Sequence, residues 1–248
     1  MKFLLNIFNY LELFFSYLQG KGLGNLSISV YFETKYAMNI LNKNKDLIII
    51  DAGGGFGNYS ALINKITQNT EIHIFEPLLN NYNFIKKRFI RNRNITVIKA
   101  AVSNKNITKK IFYNAKKTEL ASLYNRSFLV GKSKIKYSDM VKTIRLDEYI
   151  KKTIKKKIDL IKLDVEGSEF NCLMSLSKII KDINFIQFEF GGCNADSRIF
   201  FRDFWVFFKK KDFSMFKISP FGLIQIFDYN DGYENFLTTN YLAKNNNF

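Results

Sequence analysis

The stretch Leu47-Ile48-Ile49-Ile50-Asp51-Ala52-Gly53-Gly54-Gly55-Phe56-Gly57 constrains the fold more than any other part of the chain. Its aliphatic run is too short for a stable helix and reads as a parallel strand buried on both faces. The run stops at an acid, and glycines then stand at every second position, Gly53, Gly55 and Gly57. From Asn58 onward Tyr59, Leu62, Ile63 and Ile66 recur at helical spacing. Strand, glycine turn and helix make the first unit of a doubly wound α/β domain. Glycine lets the backbone turn sharply and approach a ligand with no Cβ between them. The helix start behind the turn adds unpaired N–H groups and the positive end of a dipole.

The spacing separates two cofactor classes. A dinucleotide fingerprint that starts at Gly53 needs a third glycine at position 58, which is Asn58. The chain has instead an acid at the strand tip followed by alternate glycines. A carboxylate there repels a pyrophosphate and attracts the ammonium and sulfonium of S-adenosylmethionine. The stretch therefore points to an S-adenosylmethionine site. A glycine turn that binds nothing is the minority reading.

A chain of 248 residues, 47% hydrophobic and carrying 26 Phe, supports one α/β domain with a sizeable core. Lys and Arg number 38 against 22 acids, a formal net charge of +16. Nucleic acid is the reflex partner for that balance. Yet the basic clusters, 86–93, 151–157 and 209–211, fall near expected helix ends, where they complement the dipole. No recognition helix, zinc knuckle or aromatic–basic signature accompanies them. Nucleic acid is therefore a disfavoured partner, behind an anionic membrane or a phosphorylated substrate. Cys172 and Cys193 have neither disulfide-framework nor metal-ligand spacing, which suggests a reducing cytoplasm.

Residues 1–45 read as a helical cap, 46–243 as the α/β domain and 244–248 as a frayed tail. In the cap, Phe3 to Leu18 forms an amphipathic helix whose polar stripe is Asn6, Asn9, Glu12, Ser16 and Gln19. It is too short and polar to span a bilayer. Its broad apolar face must be covered, and contact with the α/β domain or across a homo-oligomer is expected. Peripheral contact with the inner face of a membrane is the alternative.

Further strands end in acids: Glu71 to Glu76, Ile158 to Asp164 and Phe185 to Phe190, the last with Glu189 near its tip. Ligands in open α/β sheets bind outside such carboxyl ends. Asp51, Glu76, Asp164, Glu166 and Glu189 are therefore expected on one edge. Glu76 stands where an acid accepts hydrogen bonds from a ribose diol, and Pro77 opens the next helix. A third strand, Ile95 to Val102, carries Ala100, Ala101 and Val102 to adenine. Glu119 to Asp139 reads as a long irregular lid. His73 lies inside a strand and reads as structural. Asp196-Ser197 is expected to cap an aromatic helix through Lys211, and Phe213–Ile218 with Leu223–Tyr229 to form a closing hairpin.

Taken together, Asp51 to Gly57, Phe75-Glu76-Pro77, Ala101 to Asn104, Thr143 to Asp147 and Asp164 to Glu169 resemble the FkbM family of S-adenosylmethionine-dependent methyltransferases. The resemblance covers 47–190 and continues to about 241. It departs at Gly54-Gly55, where the family usually has Ala-Asn. It implies a doubly wound, Rossmann-like, mostly parallel sheet of seven strands, the class I methyltransferase arrangement. It also implies that Asp51, Ala52, Gly53, Gly55 and Gly57 hold the methionine end and Glu76 the ribose. Ala101 and Val102 then lie by adenine, and Asp164 faces the amino-acid moiety or the reacting centre. Known members methylate hydroxyls of sugars and polyketides, so O-methylation of a sugar or glycan-like acceptor is expected. Glu166, and after it Asp164, is the expected base, and Glu189 an acceptor contact. Asp164, Glu166 and Glu189 as an oxygen site for Mg²⁺ rank below a metal-free mechanism. The rival readings are a non-catalytic scaffold recruited to a membrane and, behind it, an RNA methyltransferase.

Overall fold

The computed structural model describes residues 1–26, 28–41, 46–67, 69–126 and 136–248. Two helices come first, α1 (Lys2–Leu18) and α2 (Ser29–Ile40). The core then alternates through β1 (Leu47–Ala52), α3 (Asn58–Ile66), β2 (Thr70–Phe75), α4 (Leu79–Arg88) and β3 (Ile95–Ile98). Four strands follow: β4 (Ala101–Val102), β5 (Thr108–Asn114), β6 (Lys117–Ser122) and β7 (Tyr137–Ile144). Next come α5 (Leu146–Tyr149), which runs on into a π-helical turn, β8 (Ile158–Leu163), α6 (Glu169–Leu176) and β9 (Ile183–Phe190). The chain closes with α7 (Gly192–Ser197), α8 (Phe201–Lys210), β10 (Phe213–Ser219), β11 (Gly222–Ile226) and β12 (Thr239–Asn245).

The main sheet has the order β11-β10-β12-β9-β8-β1-β2-β3. Strands β3, β2, β1, β8 and β9 are parallel, and β12 runs against them between β9 and β10. Seven of these strands are the expected sheet. The eighth is β11, the second arm of the closing hairpin, which pairs on the outer edge of β10. All six residues of β1 are buried because it lies mid-sheet with helices on both faces. Ile49 faces a core with Met38, Ile63 and Ile85, while Ile48 and Ile50 face one with Leu173, Phe188 and Phe204. Strand order reverses between β1 and β8, the place where such sheets leave a crevice.

The expected third strand divides. Ile95–Ile98 stays beside β2, and Ala101–Val102 leaves to pair with β7 in a second sheet of order β4-β7-β5-β6. This sheet also replaces both ends of the expected irregular lid. Residues 119–122 belong to β6, paired with β5 across a turn in which Asn114 Oδ1 accepts the Lys116 N–H at 2.8 Å. Residues 137–139 belong to β7, and 127–135 lie outside the described residues.

Several local expectations shift. Asp196 and Ser197 end α7; the start of α8 is capped by Asp203, which accepts from Phe200 N–H, and by Glu234, which accepts from Phe201 and Arg202. Phe201, Phe204, Phe207 and Phe208 of α8 join the core, but Phe200 does not. β12 continues through the buried Asn245, paired with Phe213, so the strand enters the segment expected to fray. In the cap, Ala37 and Met38 of α2 pack on the sheet, whereas α1 buries no residue. The α/β domain does not supply the expected cover for α1.

Candidate functional site

The turn after β1 is built from glycine by necessity. Gly53 has φ +89°, and a Cβ there would lie 1.7 Å from the Asp164 carbonyl oxygen, so this glycine lets the β1 and β8 loops touch. Gly55, at φ +53°, has room for a Cβ, which would meet Glu119 Cβ at an ordinary contact distance of 3.8 Å. Beside them lies a small, partly open cavity. Gly53 and Gly55 form its floor, and Glu76 and Pro77 one wall. Ala100, Ala101 and Val102 make an apolar stretch of the lining, joined by Ile111 of β5, Ala121 of β6 and Leu123 just after β6. Asp164 and Val165 stand at the far end.

Glu76 joins two elements at this cavity. Its Oε2 accepts the Gly55 N–H at 3.0 Å and its Oε1 the Leu78 N–H at 2.9 Å. Burial pushes its carboxyl up to about 7, against the pull of those two bonds. It therefore helps to start α4 while facing the cavity. These residues fit S-adenosylmethionine part by part: close backbone for the methionine end, a carboxylate for the ribose diol and an apolar stretch for adenine.

The other expected cofactor residues act from behind. Asp51 is fully buried; its Oδ2 accepts from Ser60 Oγ at 2.6 Å, and its Oδ1 has no hydrogen-bond partner. Burial raises its carboxyl, opposed chiefly by Lys162. Ala52 is buried in β1, and Gly57, at φ +74°, precedes α3 and packs near Phe89. None of the three lines the cavity.

Lys162 escaped the sequence reading. Its buried Nζ donates to Asp164 Oδ2 at 2.7 Å and lies 5.2 Å from the centre of the Tyr59 ring. Burial pulls its pKa down, but Asp164, Asp51 and Glu33 outweigh that and raise it. The signal was present, because residues 162 and 164 share one face of a strand. The polar chain continues from Tyr59 Oη to Gln187 Oε1 at 3.0 Å, and from Gln187 Nε2 to Glu33 Oε2 at 3.0 Å. Asn240 Nδ2 donates to the other Glu33 oxygen at 2.9 Å. Glu33, held at about 7 by burial, ties α2 into the underside of the site.

Glu166, at φ +51°, is not among the residues that line the cavity. Arg126 Nη1 donates to its Oε2 at 2.5 Å, and Arg126 Nε donates to Asp196 at 3.0 Å. Burial lifts Glu166 to about 8, Asp164 adds to the rise, and Arg126 opposes it. Glu189 is also raised, by burial and then by Asp164 and Glu166. Potential ligand atoms of Glu166, Glu189 and Cys193 lie within 4.8 Å of one another. The Mg²⁺ set ranked below a metal-free mechanism, Asp164, Glu166 and Glu189, is not the one assembled. Asp164 and Glu166 each hold a protein cation, and the third member of the cluster is a thiol, which Mg²⁺ disfavours. Glu169 accepts from Val165 and Gly167 N–H and braces the loop. His73 bonds Tyr149 and Glu71 within β2 and the elements around it.

No curated protein matches the chain significantly. Among solved structures, an rRNA methylase from Streptococcus thermophilus aligns with TM-score 0.49 and 11% identity, over 89% of this chain and 98% of that one. A precorrin-6y C5,15-methyltransferase from Geobacter metallireducens aligns with TM-score 0.43 and 12% identity, over 86% and 85%. A human methyltransferase 10 domain containing protein aligns with TM-score 0.46 and 10% identity, over 87% and 81%. The profile of the Methyltransferase FkbM domain matches residues 51–215, a span that takes in the glycine turn, the cavity and every strand-tip acid described above. The chain belongs to the FkbM family of S-adenosylmethionine-dependent methyltransferases.

Proposed function

We propose that this enzyme transfers a methyl group to a hydroxyl of a sugar or glycan-like acceptor. The observation that carries the reading is the gathering of Glu166 and Glu189 in one cluster, near enough to the cavity residue Asp164 for its charge to raise both carboxyls. Carboxyls raised in this way can both donate hydrogen bonds to and accept them from the hydroxyls of a neutral polyol.

S-adenosylmethionine, when bound, supplies an electrophilic methyl carbon. Gly53 and Gly55 admit its methionine end, Asp164 faces the ammonium, Glu76 accepts from the ribose hydroxyls, and Ala101 with Val102 flanks adenine. Glu189 holds an acceptor hydroxyl. Glu166 takes the proton of the reacting hydroxyl as the new C–O bond forms and the S–C bond breaks. Its Oε1 is the atom offered, since Arg126 engages Oε2.

The test is to incubate the protein with S-adenosylmethionine and a panel of free and nucleotide-linked sugars, with RNA alongside. Mass spectrometry and NMR then locate the methyl group. A methyl ether on a sugar is expected; methylation of RNA alone overturns the reading. With the acceptor so found, Glu166→Gln should lower kcat by about a hundredfold and leave binding of S-adenosylhomocysteine intact. Because Glu166 sits at about 8 and works deprotonated, wild-type kcat/KM should rise with pH through that value and then level. Full turnover by Glu166→Gln would remove it from the role.

A further inference from the structure

Among α1 residues, Phe3, Leu4, Phe8, Tyr10, Phe14 and Phe15 are each more than half exposed. At about 100° per residue, Asn6, Asn9, Glu12 and Ser16 fall in one sector, and apolar side chains take about two-thirds of the circumference. A helix that docks on protein needs an apolar stripe of only about 100°. The wider arc suits surroundings that enclose the helix on several sides. Its 17 residues rise about 25 Å, less than the roughly 30 Å of a hydrocarbon core. No described helix is long and apolar enough to cross a membrane. The helix therefore suits a position along an interface.

The root of α1 adds a second, independent feature. Gly20 packs so closely on β10 that a Cβ would lie 2.2 Å from the Ile218 carbonyl oxygen. The β10–β11 turn follows directly, and Tyr36 Oη of α2 donates to its Pro220 carbonyl at 2.9 Å. Phe221 projects from that turn 78% exposed. Lys21 lies near Lys217, which is buried beneath the patch and held down at about 8 by that burial and then by the Lys21 charge. Lys35 lies over the Tyr31 and Tyr36 rings on α2 at 5.9 and 5.5 Å. None of these three lysines makes a salt bridge among the described residues. The patch belongs to a chain of formal net charge +16, so its complement is anionic. Since β10 is parallel to β9, the turn lies on the sheet edge that carries the cavity.

We propose that α1 and the Phe221 turn dock on an anionic lipid bilayer. Here α1 lies in the headgroup–acyl boundary, and Lys21 and Lys35 meet lipid phosphates. The docking stands apart from the acceptor's identity and is read without turnover.

The test is flotation of the full chain with vesicles of phosphatidylcholine alone and of equimolar phosphatidylcholine and phosphatidylglycerol. Wild type should float with the anionic vesicles, and roughly tenfold less with neutral ones or in about 0.5 M salt. The triple variant Phe8→Glu, Leu11→Glu, Phe15→Glu should keep the wild-type melting temperature, because α1 buries nothing, and lose flotation. Phe221→Glu, outside α1, should weaken it as well. Failure of wild type to float, or unchanged flotation of the triple variant, overturns the proposal. So does a wild-type dimer, seen by light scattering without vesicle binding, that the triple variant dissociates; that result gives the helix to a second copy of the chain.

Discussion

Glu76 accepts one N–H from the glycine turn and one from the start of α4, so it is fixed before any ligand arrives. Hydrogen bonds to an ionised group contribute about 1.5–3 kcal/mol when broken. Glu76→Gln keeps the shape and removes the charge, so affinity for S-adenosylhomocysteine should fall about tenfold by titration calorimetry. Unchanged affinity would place the ribose elsewhere. Glu166 shows a different residue-scale rule. Its position after β8 was legible from sequence, but its engagement with Arg126 was not, since the partner lies 40 residues upstream on no common element.

The turn between β1 and α3 makes a prediction by contrast. Gly53→Ala drives a methyl group into the backbone of the β8 loop, so it should abolish cofactor binding and lower the melting temperature. Gly55→Ala makes only an ordinary contact with Glu119 and bears the strain of a left-handed backbone, about 1 kcal/mol. Equal losses from the two in thermal melts would contradict this geometry. Of the elements around the turn, β1, β2, β8 and β9 were readable because unbroken aliphatic runs ending in acids are a local signature. β6 was not. Its residues alternate too weakly to announce a strand, and pairing with β5 makes them one. Met174 likewise fits a helical core stripe by spacing, yet it is 48% exposed because α6 turns Cys172 and Leu173 inward.

Across the whole molecule, burial holds Glu33, Glu76 and Glu169 at about 7 and Glu166 at about 8, above their ordinary value of 4.5. Between about pH 4.5 and 8 the folded protein therefore binds more protons than the unfolded chain. The stability that these groups contribute is complete below 4.5 and is lost as pH rises through 7 and 8. Lys217, lowered to about 8, acts only above that window. Denaturant unfolding at fixed salt should show stability falling steadily from pH 5 to pH 8. A maximum near pH 8 would mean that these carboxyls are not buried together as described.

The sequence by itself determined the doubly wound order, the cofactor class and the sheet edge where the acids collect. Each depends on neighbours a few residues apart: a strand period, a turn that only glycine can make, an acid where a strand stops. Tertiary structure alone decided which acids share the cavity. Glu76 and Asp164 line it, Asp51 is buried and bonded to Ser60, and Glu166 pairs with Arg126. It also decided that Lys162 is buried among carboxylates and that α1 stands free of the domain. Charge pairing and burial depend on distance through space, and residues such as Glu33 and Asn240, 207 positions apart, meet only when the sheet is assembled.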